Sequence, residues 1–68
     1  MNSLKFIGVW TRGLAMESPD LRQKIEIAFR RASQEVDDWF YRITVDGKDY
    51  FVADNGERGY TAMLPSEY

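Results

Sequence analysis

The residues that come closest to a chemical constellation in this sequence are carboxylates. Asp37 and Asp38 are adjacent, and Asp54 and Glu57 flank Asn55 and Gly56. Paired acids can divide general acid–base work or hold a hard cation through oxygen. Neither pair has the company that such work needs. The chain contains no cysteine and no histidine, which removes thiolate nucleophiles, imidazole bases and the nitrogen and sulfur metal ligands. The Asp54-Asn55-Gly56-Glu57 run lacks the ligand spacing of a calcium loop. Asp and Asn in such clusters bond their own backbone and glycine supplies positive φ, so both pairs read as turn chemistry. Gly8 and Gly13 form no phosphate-binding fingerprint. The expectation is a protein with no catalytic residues, no metal and no cofactor.

Two other groups of residues point to binding. Arg22, Lys24, Arg30 and Arg31 fall within one stretch that reads as a helix, and a basic helix beside aromatic strands is one way to hold nucleic acid. Glu26 and Glu35 interrupt those charges, however, and the overall balance is acidic, with nine Lys and Arg against eleven Asp and Glu. Residues 37–68 hold three basic and seven acidic side chains, a field that repels a phosphate chain. Nucleic acid is therefore the second reading. The first rests on the aromatic residues: two Trp, four Tyr and four Phe in 68 residues. Each carries a large apolar surface, more than a chain of this size needs to leave in water.

The elements that position these residues can be read from local patterns. Ser18-Pro19-Asp20 is a helix start: a hydroxyl able to accept a free N–H, a proline where no N–H is needed, and an acid at the positive end of the dipole. Leu21, Ile25, Ala28, Phe29, Ala32 and Val36 then form one apolar stripe at helical spacing. Asp20–Lys24 and Glu26–Arg30 add opposite charges four residues apart. The helix is expected to end near Val36–Asp38, because acids oppose a helix C-terminus. Before it, Leu4 to Thr11 reads as a strand with Leu4, Phe6 and Trp10 on one face and Ile7 and Val9 on the other. Arg12 to Glu17 reads as a loop turning at Gly13.

After the helix the period becomes two. Tyr41, Ile43 and Val45 alternate with Phe40, Arg42 and Thr44, and Asp46-Gly47 is a hairpin signal. A two-residue turn sets Tyr41, Ile43 and Val45 opposite Val52, Tyr50 and Lys48; a bulged turn at Gly47 would slip that pairing. The Asp54–Gly59 turn leads to a last strand at Tyr60 to Leu64, stopped by Pro65. The order is β-α-β-β-β in a single small α+β domain spanning residues 1–68, with one helix on one face of a mixed or antiparallel sheet.

That architecture has a functional consequence. A helix about 10 Å wide cannot cover both sides of a sheet whose strands lie ~4.8 Å apart. Phe40, Arg42, Phe51 and Met63 fall on the far side, unless loops or the N-terminal segment fold over them. Arg42 could instead pair diagonally with Asp49. Interface cores are enriched in arginine and aromatic residues. Ile27 lies away from the helix's apolar stripe and is a further candidate contact. With no disulfide or metal to staple a small core, association with another chain is the remaining source of stability. The expectation is a protein-binding or adaptor module that docks through Phe40, Arg42, Phe51, Met63 and Ile27 on another protein or its own copy, forming a homodimer or other homo-oligomer. No stretch reaches the ~20 apolar residues of a membrane span and no secretory signal is visible, so a cytoplasmic setting without a membrane partner is expected.

Overall fold

The computed structural model describes residues 5–68. The elements run β1 (Ile7–Trp10), α1 (Arg12–Ala15), α2 (Pro19–Glu35), β2 (Phe40–Val45), β3 (Lys48–Asp54) and β4 (Tyr60–Met63), with 3-10 turns at Gly56–Arg58 and Pro65–Glu67. The four strands form one sheet in the order β1-β4-β3-β2. β1 is parallel to β4, and the other two pairings are antiparallel.

α2 begins where the sequence places it. The Ser18 hydroxyl accepts from Leu21 N at 3.2 Å, and Pro19 takes the first turn. Ile25 and Phe29 are fully buried, with Leu21, Ala28 and Ala32 packed beside them. Asp20–Lys24 and Glu26–Arg30 each close at 3.5 Å. The helix ends at Glu35, and Val36 is already extended and 55% exposed, so it does not continue the stripe. The Asp46-Gly47 turn holds both residues at positive φ, 52° and 80°. That sets Tyr41↔Val52, Ile43↔Tyr50 and Val45↔Lys48, the unslipped register.

The core lies between α2 and one sheet face. Ile7, Tyr41, Ile43, Val45, Tyr50, Val52, Tyr60 and Ala62 point to it, and Leu14 closes one end. Phe29 sits at its centre, its ring 5.4 Å from that of Tyr41 and 4.9 Å from that of Tyr60. Aromatic rings at such spacings add to what burial alone contributes.

Two expectations about the first part of the chain are corrected. β1 does not alternate simply: Ile7 pairs with Tyr60 and Val9 with Thr61, so Gly8 is an extra residue, a bulge. Ile7 and Trp10 therefore share the helix side of the sheet and Val9 faces away, whereas strict alternation puts Ile7 with Val9. Glycine is required there because a Cβ would lie 1.8 Å from the Arg58 carbonyl oxygen. Leu4, expected on the face of Phe6 and Trp10, falls outside the described residues. The second correction is α1, a short helix where a loop is expected; its support comes from the far end of the chain. β4 also stops one residue short of expectation, at Met63.

Candidate functional site

The sheet face opposite α2 gathers the aromatic candidates. Phe40, Arg42, Thr44, Phe51, Ala53 and Met63 lie on it, because Phe40↔Ala53, Arg42↔Phe51 and Phe51↔Met63 are cross-strand partners. The rings of Phe40 and Phe51 are 5.1 Å apart. Both side chains are half-buried, as is Met63. What lies on them is the C-terminal turn, rather than the loops or N-terminal segment the sequence suggests. Tyr68 packs its ring 5.4 Å from Phe40 and 5.5 Å from Phe51. Trp39 extends the row, 5.6 Å from Phe40. The row is left open at its margins: Trp39 is 62% and Tyr68 71% exposed. Ile27 stands apart from it. It is exposed on α2, on the other side of the sheet from Phe40, Phe51 and Met63.

One carboxylate fastens the turn that carries Tyr68. Glu67 accepts from the Thr11 hydroxyl, from Gly13 N at 3.0 Å and from Leu64 N at 2.9 Å. Gly13 N is one of the free amides in the first turn of α1, so a side chain more than fifty residues away acts as its cap. Those donors, Thr11 first, hold the Glu67 carboxyl below the usual range. They favour the charged form in proportion to the bonds it accepts.

Arg42 is exposed and makes no ion pair among the described residues. The diagonal pair with Asp49 does not form. Asp49 takes the hydroxyl of Thr44, directly opposite, at 2.8 Å. A long cation therefore stands unpartnered beside the rings.

At the other end of the row is an acidic margin. An open cavity of about 590 Å³ lies between Lys5, Asp37, Asp38 and Trp39 on one side and Asp54 and Glu57 on the other. The carboxylates here are largely occupied with local structure. Asp37 pairs with Lys5, Asp38 accepts from Trp39 N at 2.7 Å, and Asp54 accepts from Gly56 N at 2.9 Å. Asp37 and Tyr41 raise the Lys5 ammonium above its ordinary range. Two core tyrosines stabilise the same loop through their hydroxyls. Tyr41 accepts from Asp38 N at 2.8 Å and donates to Val36 O, and Tyr60 donates to Asp38 O at 2.7 Å. Burial pushes the Tyr60 phenol up. Among the described residues no cluster of three or more Asp, Glu, His or Cys has the arrangement to hold a metal ion.

The basic residues of α2 are mostly engaged. Arg22 donates to the carbonyls of Leu14 at 3.3 Å and Ala15 at 3.0 Å, and also to that of Glu17, closing the C-terminal end of α1. Lys24 bridges Asp20 and Asp46, which raises its ammonium, Asp46 most of all. Arg30 pairs with Glu26, leaving Arg31 exposed. Backbone carbonyls and carboxylates compete directly with any phosphate for these donors.

Tyr68, Glu67 and Trp39 are the contributors that sequence reasoning missed. Trp39 carried a signal, since a tryptophan next to a strand start extends any ring cluster at its end. Tyr68 and Glu67 carried none at local range. No helix of the described residues is long and apolar enough to cross a membrane. Compared with models of protein families, with curated proteins and with solved structures, the chain matches none.

Proposed function

We propose that this protein is a binding module that docks on another protein surface through the aromatic face formed by Trp39, Phe40, Phe51, Met63 and Tyr68, with Arg42 beside it. The observation that carries the reading is the row of rings opposite α2, which the chain's own C-terminal turn covers only in part. Monomeric surfaces seldom leave contiguous rings open, and an aromatic centre flanked by arginine and ringed by charge has the make-up of a protein interface. The energy of such a contact comes from burying the rings, and the charged margin sets orientation.

A photo-crosslinking residue at Trp39 tests this in living cells, with the same residue at Ile27 and at Met16 as exposed controls. The expected result is one adduct of defined mass from position 39, absent from the two controls and lost when Phe51→Asp is added. Equal labelling at all three positions, or none at position 39, overturns the reading.

A further inference from the structure

A sheet that does not close has two edges, and the two edges of this one are finished differently. One is β1, four residues long and interrupted by the bulge at Gly8. Shortness and a bulge are ordinary ways of keeping a free edge from pairing with another chain. The other is β2, six residues in unbroken register with β3, without proline, glycine or a charge on its core side. In an antiparallel pair, residues that bond across the ladder alternate with residues whose N–H and C=O point the other way. Asp54 N donates to Trp39 O, so the bonded set in β2 is Tyr41, Ile43 and Val45. The N–H and C=O of Phe40, Arg42 and Thr44 therefore turn outward, and among the described residues no other element pairs with them. Arg42 and Thr44 are exposed, so this rim is open to solvent.

We propose that β2 binds an extended segment of another polypeptide as a fifth strand, with an acidic side chain beside Arg42 and an apolar one two positions away beside Phe40. Unpaired backbone groups at an edge are complemented by the backbone of a strand, and alternate side chains of that strand select its sequence. Phe40 to Thr44 spans about 13 Å, a length that a short extended peptide matches. Arg42 makes no ion pair among the described residues. Asp49 shares its face but lies one strand further in, where it takes the Thr44 hydroxyl at 2.8 Å. The acids at the two ends of β2 are engaged as well: Asp37 with Lys5, Asp38 with Trp39 N and Asp46 with Lys24. A second copy is the poorer occupant. Two β2 edges paired antiparallel, with all their outward residues in register, set Arg42 against the other Arg42, and like charges directly opposite oppose pairing. The site is the rim of the sheet and stands apart from the ring-bearing face proposed above.

Short linear peptides displayed on phage, selected on the purified full chain, supply the probe, and fluorescence anisotropy measures how the enriched sequence binds. That sequence is expected to carry an acid two positions from an apolar residue and no proline between them. Thr44→Pro removes one outward N–H and no bond to β3, and is expected to weaken binding about tenfold. Thr44→Val lacks the same hydroxyl but keeps the N–H, and is expected to bind as the wild type does. Arg42→Glu is expected to weaken the acidic peptide and to favour one with lysine in place of the acid. Circular dichroism checks that each variant keeps its fold. N-methylation of alternate peptide amides needs no variant: one alternate set is expected to abolish binding and the other to leave it. Failure to enrich any sequence overturns the proposal, and so does binding indifferent to Thr44→Pro and to N-methylation. A peptide lost with Phe51→Asp but indifferent to Thr44→Pro lies on the rings, which sinks the fifth strand and leaves the docking reading standing. Self-association of the chain that Thr44→Pro abolishes would make the occupant a second copy and equally overturn the proposal.

Discussion

The two faces of the sheet differ in a way their composition alone does not suggest. The face under α2 holds Tyr41, Tyr50 and Tyr60, the more polar rings, and buries them almost completely. The opposite face holds Phe40 and Phe51 and leaves them half-open. Transfer free energy alone would favour the reverse, since a phenol costs more to bury than a phenyl ring. Reach resolves the paradox. Tyr41 and Tyr60 are long enough to cross the core and place their hydroxyls on the backbone of residues 36–38, so their polar ends are satisfied and the loop is held. A phenylalanine in either place would leave those backbone groups bare. On the far side no such task exists, and phenylalanine offers the larger gain to whatever covers it.

The contrast can be broken most directly at its strongest point. Phe29→Ala, in the closed core, is expected to cost about 3–5 kcal/mol. That is comparable with the whole stability of a chain this short, roughly 3–10 kcal/mol at typical values per residue. Urea titration followed by circular dichroism should find the variant's midpoint shifted far toward zero denaturant, the largest shift of the series. Phe51→Ala, on the open face, is expected to cost about 1–2 kcal/mol in the same titration, performed dilute so that no association contributes. A loss as large as that of Phe29→Ala would make the far face a second core and remove the distinction.

The smallest effect sharpens the contrast by loosening the turn that carries Tyr68. The Glu67 carboxyl is depressed in the folded state, so it contributes stability above its unfolded value of about 4.3 that is lost as pH falls through the lower folded value. Glu67→Gln is expected to remove that part of the acid dependence. Thermal melts between neutral and strongly acidic pH should show the wild type and the variant converging as the medium becomes acid. Curves that stay parallel would mean that the carboxylate does not hold the turn.

Much of this architecture was legible in local patterns, and what escaped is instructive. Ser18-Pro19-Asp20 and Asp46-Gly47 are decided by backbone chemistry within a few residues, so the start of α2 and the hairpin register follow from them. The bulge at Gly8 is different. The close approach of the Arg58 carbonyl, which requires glycine there, cannot be seen by inspecting Leu4 to Thr11, and the bulge turns the strand's inward set from Ile7 and Val9 to Ile7 and Trp10. α1 is too short to show a period, and its cap is Glu67. The far face was readable as Phe40, Arg42, Phe51 and Met63 because alternation places them there. Tyr68 was not, since the turn that carries it onto those rings is tied down by residues at the opposite end of the chain. Ile27, singled out because it lies off the helix's apolar stripe, is exposed on α2 as that spacing implies, on the side of the sheet away from the rings.

The pairing of β1 with β4 has a consequence for how the molecule comes into being. β1 is parallel to a strand that lies some fifty residues further along, while β2, β3 and β4 are joined by short turns and can zip together in succession. Closing a long loop carries its entropy cost before the contact that offsets it exists, which delays distant partners relative to near ones. During translation the segment that emerges early must wait for the one that emerges late, and meanwhile the open flank of β4 is vacant. Until β1 docks, the backbone groups along that flank of β4 lack their sheet partners.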